Sequence, residues 1–346
     1  MTVTETRVEI ARPELNTQVI GVRALSTAIG IPSLSLENHD LQVPGCDPDW
    51  IVQRTGIKRR FHADQNTATS DMVYQAAVSC LAAAGVDAKE IDLLIVATMT
   101  PDHFTPSSSC LVQSRLGAQC AAFDLNAACS GFMYALVTGC QFIKSGCSRK
   151  ALIVGADKMS LVVDPLDPKT YPLFGDGAGA VLLSADPRPA DEASGILAYQ
   201  LGSEGEMGGT LVVPAGGSRQ PINHQALDAR EQYLRMDGRA VFKWAVRLVP
   251  KLVYSLLEQA KLVLDDIDVL ICHQANKRII DAAIDVLGVC PDKVFVNVDR
   301  FGNTSAASIP ISIHEACQQG RIRPGSNVLM AGFGAGLTWG GCIFRW

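Results

Sequence analysis

A cysteine, a histidine and an asparagine, far apart in the chain, each lie just beyond an apolar run. Cys129 sits in Asn126-Ala127-Ala128-Cys129-Ser130-Gly131. A strand-like segment precedes it and a helical one follows, which puts the sulfur at a helix N-terminus, where free N–H groups and the macrodipole favour thiolate. Such a thiolate is a nucleophile, and the flanking alanines and glycine leave room for a substrate. The alternative is a buried structural cysteine. His273 ends the apolar run Val269-Leu270-Ile271-Cys272 and opens His273-Gln274-Ala275-Asn276. The C-terminal end of a buried strand is where α/β sheets place functional groups, although a hydrogen-bonded structural histidine fits too. Asn303 lies in Phe301-Gly302-Asn303-Thr304-Ser305-Ala306-Ala307-Ser308, after the predicted strand Val294-Phe295-Val296-Asn297-Val298. Gly-Asn is also an ordinary turn pair.

Two glycine-rich turns accompany these residues. Gly332-Phe333-Gly334-Ala335-Gly336 follows the apolar run Val328 to Ala331 and can offer backbone N–H groups to an oxyanion, or be a tight turn. It lacks the rest of a dinucleotide fingerprint. Phe174-Gly175-Asp176-Gly177-Ala178-Gly179-Ala180 reads as a packing turn.

The elements that must position these side chains follow an α/β grammar. Residues 65–85 read as a helix with Ser70 and Asp71 in its first turn and an apolar stripe of Met72, Ala76, Ala77, Cys80 and Leu81. Leu94–Ala97, Ala121–Leu125 and Lys150–Val154 read as buried strands, and residues 131–145 as a helix. The pattern from Gly85 to Val96 is echoed from Leu262 to Ile271, and that from Gly146 to Gly155 is echoed from Gly320 to Met330. Two landmarks repeated in the same order point to an internal duplication. Residues 186–235 are rich in Gly, Pro, Ser, Asp and Glu and read as a connection with excursions, containing one strand from Gly195 to Leu201. The expected division is residues 1–190 with the cysteine, 191–235 as connection, and 236–346 with the histidine and asparagine.

Composition bounds the function classes. The chain has 346 residues, 48% hydrophobic and 19% charged, enough for a large core and unlike a disordered chain. A net charge of -5 argues against a nucleic-acid surface. The opening residues carry no apolar signal-peptide core, and no apolar run approaches the roughly 20 residues of a membrane span. A soluble cytoplasmic enzyme is the expectation. The 11 cysteines include no CxxC pair, which suits reduced thiols and predicts no metal. Arg239, Lys243, Arg247 and Lys251 recur every fourth residue and form a basic stripe if one helix holds them, or a plain solvated face; Pro250 is expected to kink or stop that helix.

The segments Trp50 to Ile57, Asn126 to Gly131, Phe174 to Ala180, Met236-Asp237-Gly238, His273 to Asn276, Gly302 to Ser305 and Gly334 to Gly340 form an ordered set along nearly the whole chain. Through this set the chain resembles the β-ketoacyl-acyl carrier protein synthase III family of the thiolase superfamily. The resemblance implies a five-layer α-β-α-β-α fold of two duplicated halves, and a homodimer. It implies that Cys129 takes an acyl group from acyl-CoA, with the backbone N–H groups of Cys129 and Ala335 as oxyanion hole. Malonyl-acyl carrier protein then loses carbon dioxide, aided by His273 and Asn303, and condenses with the acyl group. No resident cofactor is implied. Lys243 and Arg278, with Arg239 and Arg247 beside them, match the carrier-docking region, and Trp50 and Arg54 the CoA contacts. Pro168, with Lys169 adjacent, stands where many members have an arginine. Thr105 aligns with the acyl pocket, with Phe104 one residue away. The rival readings are a related acyltransferase or specialised-metabolite (polyketide or quinolone type) ketosynthase and, more remotely, a non-catalytic carrier-binding scaffold.

Overall fold

The computed structural model describes residues 21–188 and 194–346. The opening stretch read for a signal peptide and the expected boundary at 190 lie outside the described residues. The first half contains β1 (Gly21–Gly30), β2 (Leu34–Glu37), α1 (Pro48–Thr55), β3 (Arg59–His62), α2 (Thr69–Ala84), β4 (Leu93–Ala97), α3 (Ser108–Leu116), β5 (Ala121–Leu125), α4 (Gly131–Lys144), β6 (Lys150–Asp157) and β7 (Gly177–Asp186). The second contains β8 (Gly195–Ser203), β9 (Leu211–Val212), α5 (His224–Asp228), β10 (Arg235–Met236), α6 (Gly238–Ala260), β11 (Val269–Cys272), α7 (Lys277–Leu287), α8 (Val298–Phe301), α9 (Ser308–Gln318), β12 (Asn327–Gly334) and β13 (Thr338–Arg345).

The first large sheet runs β1-β7-β6-β4-β5 and the second β8-β13-β12-β11. In the first, β4 is parallel to β5 and β6, and β7 is antiparallel to β6 and β1. In the second, β11 is parallel to β12, and β13 is antiparallel to β12 and β8. A parallel bridge from Leu270 to Val294 stands where β5 stands in the first sheet. The two sheets therefore share strand order and sense, which is the duplication expected from the echoed segments.

Helices fill three layers around these sheets. The central layer holds α4 and α9, α2 and α3 cover the outer face of the first sheet, and α6 and α7 that of the second. Side chains of α4 and α9, such as Phe132, Leu136, Ile309 and Ile313, share one core with residues of both sheets. A strand such as β4 is buried on both faces, so it reads as a continuous apolar run. In α2 the expected stripe is buried, Asp71 accepts the Ala68 N–H at 2.9 Å, and Gly85 ends the helix in the left-handed conformation. Each large apolar side chain buried there contributes roughly 1.5–3 kcal/mol.

Three expectations need correction. Of the two outcomes expected at Pro250, the stop does not occur: helix α6 continues to Ala260. Val249, Leu252, Val253 and Leu256 bury their side chains on the second sheet, which offsets the lost hydrogen bond. The predicted strand at 294–298 shrinks to one bridge and the Phe295 N–H bond to the Leu270 carbonyl. Buried Gln274 Oε1 accepts the N–H groups of Asn297 and Val298, at 2.9 and 3.1 Å, so they are diverted from a ladder. Strand β5, expected to be buried, is the edge strand of the first sheet and only partly buried, whereas the strand expected from Gly195 forms as β8 of the second sheet. No helix among the described residues is long and apolar enough to cross a membrane.

Candidate active site

Two matching elbows build the floor of the site. In the first, the chain leaves β5, the Asn126 side chain accepts the Ala128 N–H at 3.1 Å, and Ala128 takes a left-handed φ of 46°. A 3₁₀ turn, Ala128–Ser130, then presents Cys129 just ahead of α4. In the second, the Asn303 side chain accepts the Ser305 N–H at 2.9 Å and Ser305 has a φ of 51°. Its 3₁₀ turn, Ser305–Ala307, leads into α9. Asn126 and Asn303 hold equivalent places, as do Cys129 and Ala306. Left-handed non-glycine residues at both elbows store strain of about 1–3 kcal/mol each. Asn303 is held from behind as well: its N–H bonds the Leu173 carbonyl at 2.8 Å, and its carbonyl accepts the Gly175 N–H at 3.0 Å. That gives the turn at Phe174 a positioning task.

The second sheet supplies the remaining walls. His273 follows β11, and its N–H bonds the Ala331 carbonyl at 2.8 Å. Its ring meets Phe333 edge-on at 5.3 Å, and Phe333 in turn meets Trp244 at 6.3 Å. At the tip of β12, a Cβ on Gly334 would lie 2.6 Å from Cys129 Cβ, so only glycine lets this strand approach the sulfur. The backbone N–H groups of Cys129 and Ala335 both bond the sulfur, and Ser305 Oγ lies 3.4 Å from it.

Cys129, His273 and Asn303 all line one narrow cavity of about 110 Å³, with Leu211, Met236 and Phe242 closing its sides. Burial pushes the Cys129 thiol up to about 11; the Ser305 hydroxyl and the two backbone N–H groups pull it back, and the charge of Asp157 pushes it further up. Burial also takes the His273 imidazole down to about 3, with Nδ1 buried and unpartnered among the described residues. The thiolate expected at the helix N-terminus is therefore corrected: in the unliganded site desolvation outweighs the favourable N–H groups, and both residues are neutral.

The other predicted residues lie elsewhere. Thr105 and Phe104 line a separate cavity of about 1190 Å³, which Ala127, Ala128 and Ala335 also border, and Phe104 is 93% exposed. Trp50 and Arg54 are exposed on α1, which is tied to the histidine loop by the Asn276 amide bonding the Arg54 carbonyl at 3.2 Å. Arg239, Lys243, Arg247 and Lys251 are exposed on α6. Arg278 lies over the Phe242 ring at 5.9 Å, at the side of the narrow cavity. The Pro168 carbonyl accepts from Cys46 Sγ at 3.7 Å. Sequence reasoning missed Ser305 and Asp157. Ser305 lay inside the quoted Asn303 segment, and Asp157 at the C-terminal end of a buried strand, a place that favours functional groups.

Two duplicated α/β halves that meet at a buried cysteine, histidine and asparagine define a thiolase-like condensing fold. Residues 123–205 match the family model for 3-oxoacyl-[acyl-carrier-protein] synthase III, and residues 257–346 match the model for its C-terminal part. The chain is 52% identical to a beta-ketoacyl-[acyl-carrier-protein] synthase III of Rhodopirellula baltica, over 94% of this chain and 99% of that one. Among solved structures, the 3-oxoacyl-[acyl-carrier-protein] synthase III of Aquifex aeolicus superposes with a TM-score of 0.84 at 41% identity, covering 94% of this chain and all (100%) of that one. A priming beta-ketosynthase from a polyketide biosynthetic pathway superposes at 0.85 with 34% identity, covering 98% and 99%. The chain belongs to the beta-ketoacyl-[acyl-carrier-protein] synthase III family, condensing enzymes of the acyltransferase type.

Proposed function

We propose that the chain catalyses decarboxylative Claisen condensation of an acyl-CoA primer with malonyl-acyl carrier protein, giving a 3-oxoacyl-acyl carrier protein and initiating fatty acid biosynthesis. The observation that carries this reading is that Cys129, His273 and Asn303 line the same narrow cavity. Cys129 sulfur attacks the primer thioester, the N–H groups of Cys129 and Ala335 hold the oxyanion, and CoA leaves as its thiol, carrying off the proton that Cys129 gives up. Malonyl thioester then enters and loses carbon dioxide, so its electron pair gathers on the thioester oxygen. Neutral His273 offers that oxygen one N–H. Asn303 offers its amide N–H, since its carboxamide oxygen is already occupied by Ser305. The enolate carbon attacks the acyl carbonyl and Cys129 thiolate departs. The thioesters bring their own pantetheine arms, so the chemistry as written calls for no resident cofactor.

The test is product mass. Incubated with malonyl-carrier and acyl-CoAs of increasing length, the protein should yield a carrier-bound 3-oxoacyl chain two carbons longer than the primer. Transfer of the primer without this gain would favour the related acyltransferase. The same screen addresses a second reading, priming of a specialised-metabolite pathway, which the polyketide ketosynthase match and the wide cavity beside Thr105 and Phe104 favour. Preference for long or branched primers would support it.

For carrier docking we assign Arg239, Lys243, Arg247 and Arg278. Their exposure supports this, as does the contact of Arg278 with a cavity-lining phenylalanine. The Michaelis constant for the acidic carrier should rise several-fold between about 0.05 and 0.5 M salt, because exposed charges steer only within a Debye length. A salt-independent constant would remove the assignment. Trp50 and Arg54 are assigned to CoA, with Pro168 altering the opposite contact. Homodimer formation is supported by the edge of β5, unpaired among the described residues, and by exposed Phe104 and Leu161. Free cysteines fit a cytoplasmic location. The proposed division keeps the halves at 1–190 and 236–346, with 191–235 as a connection that sends β8 into the second sheet and Leu211 over the cavity.

A further inference from the structure

Asp157, at the end of β6, is wholly buried, and no step written above uses it. Its Oδ1 accepts from Thr98 Oγ1 at 2.9 Å, the Met99 N–H at 2.8 Å, the Thr100 N–H at 3.3 Å and Thr100 Oγ1 at 3.1 Å. Both hydroxyls accept backbone N–H groups of their own, from Thr100 at 3.1 Å and Lys158 at 2.8 Å, which turns their protons toward the carboxylate. Oδ2 accepts the Ala306 N–H at 3.1 Å, and the Ser305 side chain hydrogen-bonds the same carboxylate. Every neighbour presents a donor, which favours an ionised carboxylate, while burial pushes the Asp157 carboxyl up.

Ser305 stands between this charge and the nucleophile, with Oγ 3.4 Å from Cys129 Sγ. A hydroxyl has one proton and cannot donate to both. We propose that Asp157 is a positioning residue that acts on Cys129 through Ser305, holding the serine proton while the sulfur is a thiol and yielding it when the sulfur carries charge. The structure places the serine O–H to donate to Cys129 Sγ; in the proposed resting state that proton turns to Asp157 and the thiol proton turns to Ser305 Oγ. When Cys129 ionises, or departs as thiolate after condensation, the hydroxyl turns to the sulfur. Through the Ala306 N–H, the same carboxylate anchors the elbow whose Ser305 N–H orients Asn303. One buried charge thus supports two of the three reacting side chains. Its own negative charge opposes thiolate in the empty site, in line with the upward push on Cys129. The other titratable side chain on that cavity wall is His273, which is neutral.

The inference rests on Cys129 as the acylated thiol. Its test reads that thiol directly, so it stands or falls separately from the identity of the condensation product. Iodoacetamide labelling of Cys129 is followed against pH by peptide mass spectrometry in the wild type, Ser305→Ala, Asp157→Asn and the double variant. Ser305→Ala should move the profile to higher pH and slow labelling at pH 8 about tenfold, the effect of losing a hydrogen bond to a charged group. Asp157→Asn should move it to lower pH, and that shift should fall by more than half in the Ser305→Ala background. No shift, a shift to higher pH, or an equal shift in both backgrounds for Asp157→Asn overturns the proposal. Should Asp157→Asn not fold, Ser305→Ala decides alone: an unchanged profile at an unchanged melting temperature overturns it.

Discussion

Cys129→Ala is expected to lower both primer transfer and condensation by at least about four orders of magnitude, because no other group can hold the acyl chain. The loss should be chemical and not structural. The substitution removes one sulfur from the cavity wall, at a cost near 1 kcal/mol, so circular dichroism and melting should change little. The check is a radiolabelled primer followed by peptide mass spectrometry. Wild type should carry the label on Cys129 alone, and the variant should carry none. The other cysteines give the experiment its contrast. Cys110, Cys147 and Cys290 are exposed and will take up general thiol reagents, while Cys80, Cys140, Cys272 and Cys342 are buried. Acyl label on any of these seven would remove Cys129 from the mechanism.

Asn303→Ala should separate the two stages. Acylation of Cys129 is expected to stay within a few-fold of wild type, because the oxyanion of that step faces the N–H groups of Cys129 and Ala335. Release of carbon dioxide from malonyl-carrier should fall by about 10²–10³, the usual loss when one donor to a developing oxyanion is removed. The carboxamide also accepts the Ser305 N–H, so alanine loosens the elbow as well as deleting a donor. Asn303→Asp separates these effects: it keeps the acceptor for Ser305 but donates nothing, and should be no better than alanine in decarboxylation. If acylation and decarboxylation fall together in both variants, the assignment of Asn303 to the second stage fails.

Much of this architecture was legible in the chain. The stripe of α2, the apolar runs of β4 and β6, and the small-residue segment around Cys129 have strong local signatures, since burial on both faces of a parallel strand leaves little room for polar residues. The echoed segments foretold two sheets of the same order. What misled were features decided by distant partners. The run at 294–298 has strand composition, yet Gln274 captures its N–H groups from another loop. Pro250 carries a strong local signal that packing of α6 on the second sheet overrides. The ionisation of Cys129 was misread because a helix N-terminus is visible in sequence and desolvation by a facing sheet is not. Ser305 and Asp157 escaped for the same reason: they are 148 positions apart, and their significance arises only where the halves touch.

The twin elbows carry a consequence for how such a molecule can change. Both copies of the loop keep a carboxamide, but only the first carries a sulfur and only the second brings its asparagine to the narrow cavity, so each reagent belongs to a different half and neither half is a smaller enzyme. The seam where they meet tolerates almost nothing: a β-carbon on Gly155 would fall 2.2 Å from the Ala306 carbonyl oxygen. A sideways slip of one half against the other would misalign the chemistry long before it unfolded the protein. New substrate preferences must then arise at the periphery, in segments such as those bearing Leu211 and Met236, which touch the chamber without holding a reagent.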